Sequence, residues 1–151
     1  MSPEQRLAAM DLRLPDLRPV AGRYRPWVRH GDLLFLSGQG AQPHVGRLGA
    51  DFDVAQGRLA ARDCMLNLLA QTRAAAGSLE RVRQVVKVLG FVRCTPEFTD
   101  TPAVLDGASE LLVHVFGDRG EHARSAIGVA SLPRGFAVEI ELVVALDAES
   151  V

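Results

Sequence analysis

The stretch ARSAIGVASLPRGFAVEIE, residues 123–141, decides both the predicted fold and the candidate chemistry of this chain. Two apolar segments flank Leu-Pro-Arg-Gly, a pattern that predicts two strands joined by a turn. Three charged residues interrupt the apolar pattern, namely Arg124, Glu139 and Glu141. Because a charge within a sheet needs water or a partner, we expect these side chains either to be solvated or to bind a ligand.

The charges define a candidate pocket if the two strands pair directly as a hairpin. Alternation then places Arg124, Glu139 and Glu141 on one face, with Arg124 and Glu139 roughly 13 Å apart and small residues such as Ala126 between them. A guanidinium matches a carboxylate, and a glutamate beyond the bound acid can orient or deprotonate water. The pattern therefore predicts a pocket for a small carboxylic acid. The alternative is a structural ion pair of Arg124 with Glu141 at a subunit interface.

Capping and breaking residues divide the rest of the chain into helices and strands. Asp53 with Gln56 begins a long helix that ends at Gly77, and Thr101 caps a second helix that opens at Pro102 and ends at Gly117. Alternating or β-branched segments predict further strands at 24–31, 32–40 and 82–94. After a short N-terminal helix the order is β-β-α-β-α-β-β. This order predicts an α+β fold with two helices packed on one face of a sheet.

The last strand is apolar on both faces, with Ile140 and Leu142 on one and Val143 and Ala145 on the other. A strand of this kind is buried on both faces, and two helices are too few to cover the second. Another copy of the same chain is the simplest cover, so we expect a homo-oligomer.

Composition excludes several classes of protein. The chain has 151 residues, 48% hydrophobic and 23% charged, which fits one folded domain over residues 1–151. The formal net charge is −1, so no basic surface for a nucleic acid is expected. His30, His44 and His114 have no Cys, Asp or Glu partner at ligand spacing, so we expect no metal site.

The N-terminal segment, residues 1–19, is too charged for a signal peptide or a membrane span. Ser-Pro-Glu-Gln at 2–5 predicts a short helix within it. The two cysteines, Cys64 and Cys94, lie in apolar segments and are expected to be reduced. We therefore expect a cytoplasmic protein with no membrane partner.

Four short motifs give the chain a family resemblance. They are SGQ at 37–39, ARS at 123–125, LP at 132–133 and VEIE at 138–141. In this order and spacing, across residues 20–147, the chain resembles the Rid family (YjgF, also called the L-PSP endoribonuclease family). The resemblance implies a chorismate-mutase-like homotrimer, with three sheets around a central barrel and ligand sites in the clefts between subunits. Residues 1–19 resemble the extension of a longer subgroup.

The resemblance also implies an activity, the hydrolysis of small 2-imino acids or enamines to 2-oxo acids and ammonia, without a metal or organic cofactor. By resemblance, Arg124 holds the substrate carboxylate and Glu139 positions the attacking water. Ser37 and Gly38 line the same cleft, and Tyr24 corresponds to the aromatic residue before the family's first strand. An imine carbon is already electrophilic, so such a site needs little more than a positioned water and a proton acceptor.

Two positions depart from the family's deaminases. Ala126, expected in the substrate site, stands where they usually carry cysteine, and Pro96 stands near a usual polar loop residue. These changes imply a different substrate or a slower reaction, and they leave Arg124 and Glu139 in place.

Two other functions stay open at this point. The trimer could bind small 2-oxo or 2-imino carboxylates without turning them over. An endoribonuclease, as the older family name implies, needs a general acid–base pair and a basic track that the sequence does not offer. His122 either shares the side of the strand that carries Arg124 or is a solvated turn histidine.

Overall fold

The computed structural model describes residues 1–148 and contains a five-stranded sheet. In chain order the elements are α1 (Pro3–Ala9), β1 (Trp27–His30), β2 (Leu33–Gln39), α2 (Val54–Ala76), β3 (Val82–Arg93), α3 (Thr101–Phe116), β4 (Ala123–Val129) and β5 (Val138–Leu146). The α+β class and the predicted order of strands and helices are therefore confirmed.

The helix boundaries follow from local capping. Asp53 and Gln56 form a reciprocal capping box at the start of α2, and Gly77 ends that helix with a φ of 88°, where glycine is favoured. The prediction for α3 was less accurate, because Asp100 occupies its N-cap position. Thr101 instead donates its hydroxyl to the carbonyl of Ala126, at 3.1 Å, and so ties α3 to β4. Within residues 1–148, no helix combines the length and apolar character that crossing a bilayer requires.

The strand order is β1-β2-β5-β3-β4, with β4 parallel to β3 and the other pairs antiparallel. The predicted hairpin between β4 and β5 is therefore wrong, because β3 lies between them. Helix α3 is the crossover that a parallel β3–β4 pair requires, and it places β4 at the sheet edge. The segment 133–135 forms a short 3₁₀ turn, after which β5 enters between β2 and β3.

The two faces of the sheet differ in how they are covered. Helices α2 and α3 cover one face, the helix face, where the buried side chains of the central strands lie: Val88, Val92, Ile140, Leu142 and Val144. The opposite face, the open face, carries exposed apolar side chains, with Val28 51%, Phe35 45% and Ile127 46% exposed. An apolar face of this kind supports the predicted homo-oligomer, which stays a prediction.

Candidate functional site

A cavity of about 610 Å³, here called the Glu139 cavity, opens where β2 and β5 reach the end of the sheet. Its walls come from residues 18–21, the end of β2 at 38–40, and the turn at 133–134, with Tyr24 and Glu139. Three of the six predicted site residues, Tyr24, Gly38 and Glu139, therefore line one cavity.

Glu139 is the acidic group of this cavity. It lies on β5 between the buried Val138 and Ile140, so alternation directs it to the open face. Burial raises the pKa of Glu139, and the nearby charge of Glu141 raises it further. A carboxyl group with a raised pKa is a stronger base when ionised, which suits it to accept a proton from water.

Gly38 leaves room for the carboxyl group of Glu139. A Cβ at position 38 would lie 3.1 Å from Glu139 Oε2, closer than ordinary contact. A larger side chain at position 38 would require the carboxyl group of Glu139 to shift by a few tenths of an ångström.

Ser37 organises the rim of the cavity through the backbone. Its hydroxyl donates to the carbonyl of Arg25 at 2.6 Å, and its amide donates to the carbonyl of Pro26 at 3.0 Å. Both bonds hold the segment that carries Tyr24 against the end of β2. The cavity wall begins at Gly38, so the predicted binding role of Ser37 stays a prediction.

Arg124 lies elsewhere within the chain. Its Nη1 donates to Asp106 Oδ1 at 2.8 Å and to Ser109 Oγ at 3.1 Å. Asp106 and Ser109 belong to α3, so Arg124 faces the helix face, whereas Glu139 faces the open face. The prediction that both project from one face of one chain is wrong, because β3 intervenes and changes the register. Within one chain the carboxylate partner of Arg124 is Asp106, and the alternative ion pair with Glu141 at a subunit interface stays a prediction.

His122 takes part in holding Arg124. Its Nδ1 lies 2.6 Å from the carbonyl of Gly120 and therefore donates to it. Its Nε2 lies 2.9 Å from the Ser109 hydroxyl, within hydrogen-bond distance. Ser109 in turn accepts from Arg124, so a chain of hydrogen bonds fixes the guanidinium. The interpretation of His122 as a solvated turn residue is wrong. Its spacing of two residues from Arg124 indicated that both side chains lie on the same side of the strand.

Ala126 also lies away from the Glu139 cavity. It packs partly against the core on the helix face, and its carbonyl is engaged by Thr101. Its place in a substrate site stays a prediction that requires contact with another copy of the chain.

Two arginines in the cavity wall were not predicted from the sequence. Arg18 and Arg134 both line it. Arg18 lies in the segment interpreted only as an extension, and Arg134 lies in the turn LPRG. Loops have no periodicity from which the direction of a side chain can be inferred. The available indication of a site residue was an arginine between Pro and Gly in a tight turn.

Comparison with known proteins assigns the family. The family model described as "YjgF/chorismate_mutase-like, putative endoribonuclease" matches residues 4–145. The chain belongs to the Rid/YjgF family. The resemblance from the four motifs is thereby confirmed, together with the chorismate-mutase-like fold.

Individual relatives extend over most of the chain. Protein TCP17 of Trypanosoma cruzi is 42% identical over 147 residues, covering 93% of this chain and 92% of the relative. The 2-iminobutanoate/2-iminopropanoate deaminase of Dermatophagoides farinae is 32% identical over 128 residues, covering 83% and 88%. The crystal structure of Atu1372, a protein of unknown function from Agrobacterium tumefaciens, superposes with a TM-score of 0.89 at 42% identity, covering 96% and 92%. The Rid/YjgF family thus includes an imine deaminase among the relatives of this chain.

The cause of the raised pKa of Glu139 is testable. Glu141→Gln removes a neighbouring negative charge, so we expect the pKa of Glu139 to fall toward its ordinary value while staying above it, since burial remains. Carboxyl-detected NMR titration of both proteins measures this directly. Glu97→Gln, on an exposed loop, is the control and should leave the titration unchanged. An unchanged pKa in Glu141→Gln would contradict the proposed coupling.

Proposed function

We propose that the protein hydrolyses small 2-imino acids to 2-oxo acids and ammonia in the Glu139 cavity. The observation that carries this proposal is Glu139 itself, a half-buried carboxyl group with a raised pKa in a cavity lined by cationic residues. The chain also belongs to a family that includes a 2-iminobutanoate/2-iminopropanoate deaminase.

The chemistry needs one positioned water. Ionised Glu139 accepts a proton from the water as its oxygen bonds to the imine carbon, and it then donates this proton to the imine nitrogen, which returns Glu139 to the carboxylate form. The resulting carbinolamine then loses ammonia and forms the C=O bond of the 2-oxo acid, with the hydroxyl proton returning through Glu139 to the departing nitrogen. Tyr24 and Gly38 shape the space around the reacting carbon. Removal of bulk water and orientation of the imine provide the rest of the rate enhancement.

We place Arg124 of a neighbouring copy at the substrate carboxylate. Arg124 lies on the edge strand β4, and its side chain is 23% exposed. Asp106 and Ser109 both bind its Nη1, so they fix the guanidinium plane and leave its other edge for a ligand. Since Glu139 and Arg124 lie on opposite faces of one sheet, a shared site requires two chains. The exposed apolar open face supports such an assembly, as a homotrimer.

Imine trapping tests the activity. An amino-acid oxidase generates 2-imino acids in the presence of semicarbazide, and an active protein lowers the yield of semicarbazone by hydrolysing the imine first. Arg124→Ala is expected to raise KM about tenfold, because a charge-assisted contact with the substrate carboxylate is lost. Arg23→Ala, at an exposed position outside the cavity, is the control. If wild-type protein does not lower semicarbazone formation with any of several 2-imino acids that differ in side chain, the proposal is wrong.

Mixed assemblies test the shared site. Arg124→Ala and Glu139→Gln chains are unfolded together, refolded, and assayed at substrate concentrations below KM. Random assembly gives about a quarter of sites in which an unmodified Arg124 from one chain meets an unmodified Glu139 from another, so activity should reappear. Activity that never exceeds the sum of the two separate variants would place Arg124 outside the site.

A second candidate function is carboxylate binding without turnover. Arg18 and Arg134 favour it, because within residues 1–148 neither forms an ion pair with a carboxylate, and both can hold an anion without any chemistry. Calorimetry would then detect 2-oxo acid binding by a protein that does not lower semicarbazone formation.

A further inference from the structure

We propose that the Glu139 cavity selects 2-imino acids that carry a second carboxylate, such as the imines of aspartate and glutamate, and that Arg134 and Arg18 bind this second group. This inference rests on the proposed function and names its substrate class. Arg18 and Arg134 have no role in the proposed activation of water by Glu139 or in the proposed contact of Arg124 with the substrate carboxylate.

The turn that carries Arg134 is held in an unusual backbone conformation. Arg134 has a φ of 57° and Gly135 a φ of 72°, so two successive residues occupy the left-handed region. For a residue with a side chain this costs free energy, and such strain clusters at sites of function. The carbonyl of Gly135 accepts from Arg93 Nη1 at 3.2 Å and from the amide of Gly46 at 3.1 Å, which secures the turn. The conformation presents Arg134 to the cavity from a fixed backbone.

Arg18 lies in another part of the cavity wall, the N-terminal segment at 18–21. Its Nη1 lies 3.5 Å from the carbonyl oxygen of Gly40, a residue of the cavity wall. The same oxygen accepts a shorter bond, 2.8 Å, from the buried Asn67. At 3.5 Å the contact of Arg18 is long and weak, so its guanidinium is available to a ligand.

The charges in the cavity do not balance. Within residues 1–148, neither Arg18 nor Arg134 forms an ion pair with a carboxylate. In the described part of the chain, Glu139 forms no ion pair with either arginine, and one carboxylate would in any case leave one positive charge in excess. With Arg124 assigned to the substrate carboxylate, two cations remain for one further anionic group. A substrate with a neutral side chain gives Arg18 and Arg134 no anionic partner, whereas a side-chain carboxylate can bind both arginines.

The test compares one acidic and one neutral imine. D-aspartate oxidase generates the imine of aspartate and D-amino-acid oxidase the imine of alanine, each with semicarbazide as the trap. We expect kcat/KM to be about tenfold higher for the acidic imine, and Arg134→Ala to erase that preference by lowering kcat/KM about tenfold more for the acidic than for the neutral imine. Arg134→Lys should recover part of the preference, and Arg23→Ala should leave it unchanged.

Other outcomes separate this inference from the proposed function. Turnover of the neutral imine at an equal or higher kcat/KM overturns the inference and leaves the deaminase proposal standing. An equal loss on both imines in Arg134→Ala also overturns it, because Arg134 then binds the carboxylate that all substrates share. If no imine is hydrolysed, the proposed function fails. Calorimetry with 2-oxoglutarate and 2-oxobutyrate then decides the inference, with tighter binding of 2-oxoglutarate, lost in Arg134→Ala, supporting it and equal binding overturning it.

Discussion

Glu139→Gln is expected to lower kcat for imine hydrolysis about 100-fold with little change in KM. The amide keeps the size of the side chain and removes the proton acceptor, and loss of a general base typically has an effect of this order. Because KM reports mainly on contacts with the substrate anion, a change confined to kcat separates a chemical role from a binding role. Steady-state kinetics with the semicarbazide trap measure both constants.

Glu141→Gln is the matched control, two residues along the same strand and on the same face. It should keep kcat within a factor of about 3 at a pH where Glu139 is ionised. Since this substitution lowers the pKa of Glu139, it should also move the acid limb of the pH profile to lower pH. An equal loss of kcat in both variants would contradict a specific role for Glu139.

Stability provides a second control for Glu139→Gln. The pKa of Glu139 is raised in the folded state, so the folded chain binds more protons than the unfolded chain between the two pKa values. The free energy of unfolding therefore falls as pH rises through that window, and above it the buried charge is a cost. Removing the charge should leave Tm at pH 7 equal or higher. A lower Tm would mean that lost activity reflects damaged folding.

Gly107→Ala is expected to lower the free energy of unfolding by about 3 kcal/mol. Gly107 lies on α3 where it crosses α2, and a Cβ there would overlap the backbone carbonyl of Arg58. Backbone atoms cannot move aside as a side chain can, so the two helices would have to separate. The Arg58 side chain spans the same crossing, since it donates to the carbonyl of Ala103 and to Glu110, and these bonds would be strained.

The sign of this effect makes the prediction informative. Helix propensity alone predicts that alanine stabilises a helix relative to glycine by about 1 kcal/mol. Urea denaturation of the wild type and the variant measures the free energy directly. Val113→Ala, at an exposed position of the same helix, should change it by less than about 0.5 kcal/mol. A variant more stable than wild type would show that α2 and α3 do not pack closely at Gly107.

Local structure could be inferred from the sequence, whereas the neighbours of β4 and β5 could not. The capping box at Asp53 and the glycine at position 77 mark α2 through contacts only three or four residues apart. The turn at 133–135 looks like a hairpin turn in sequence, and nothing near it reveals that β3 will pair with both flanking strands. Pairing depends on the crossover of α3, which is a property of the whole chain.

The candidate site was predictable in part for the same reason. Alternation correctly directs Glu139 away from the buried side chains of β5, because that inference needs only the strand itself. The direction of Arg124 relative to Glu139 needs the register of β3 against both strands, and it was wrong. Arg18 and Arg134 lie in loops, where only the folded backbone determines which way a side chain points.

The position of β3 between β5 and β4 has a consequence for how the rate depends on protein concentration. Arg124 and Glu139 lie on opposite faces of one sheet, so under the proposed shared site an isolated polypeptide would hold two half-sites and complete neither. Dilution below the dissociation constant of the assembly should then switch off turnover steeply while every chain stays folded. The amount synthesised in a cell would set not only how many catalysts exist but whether any exist at all.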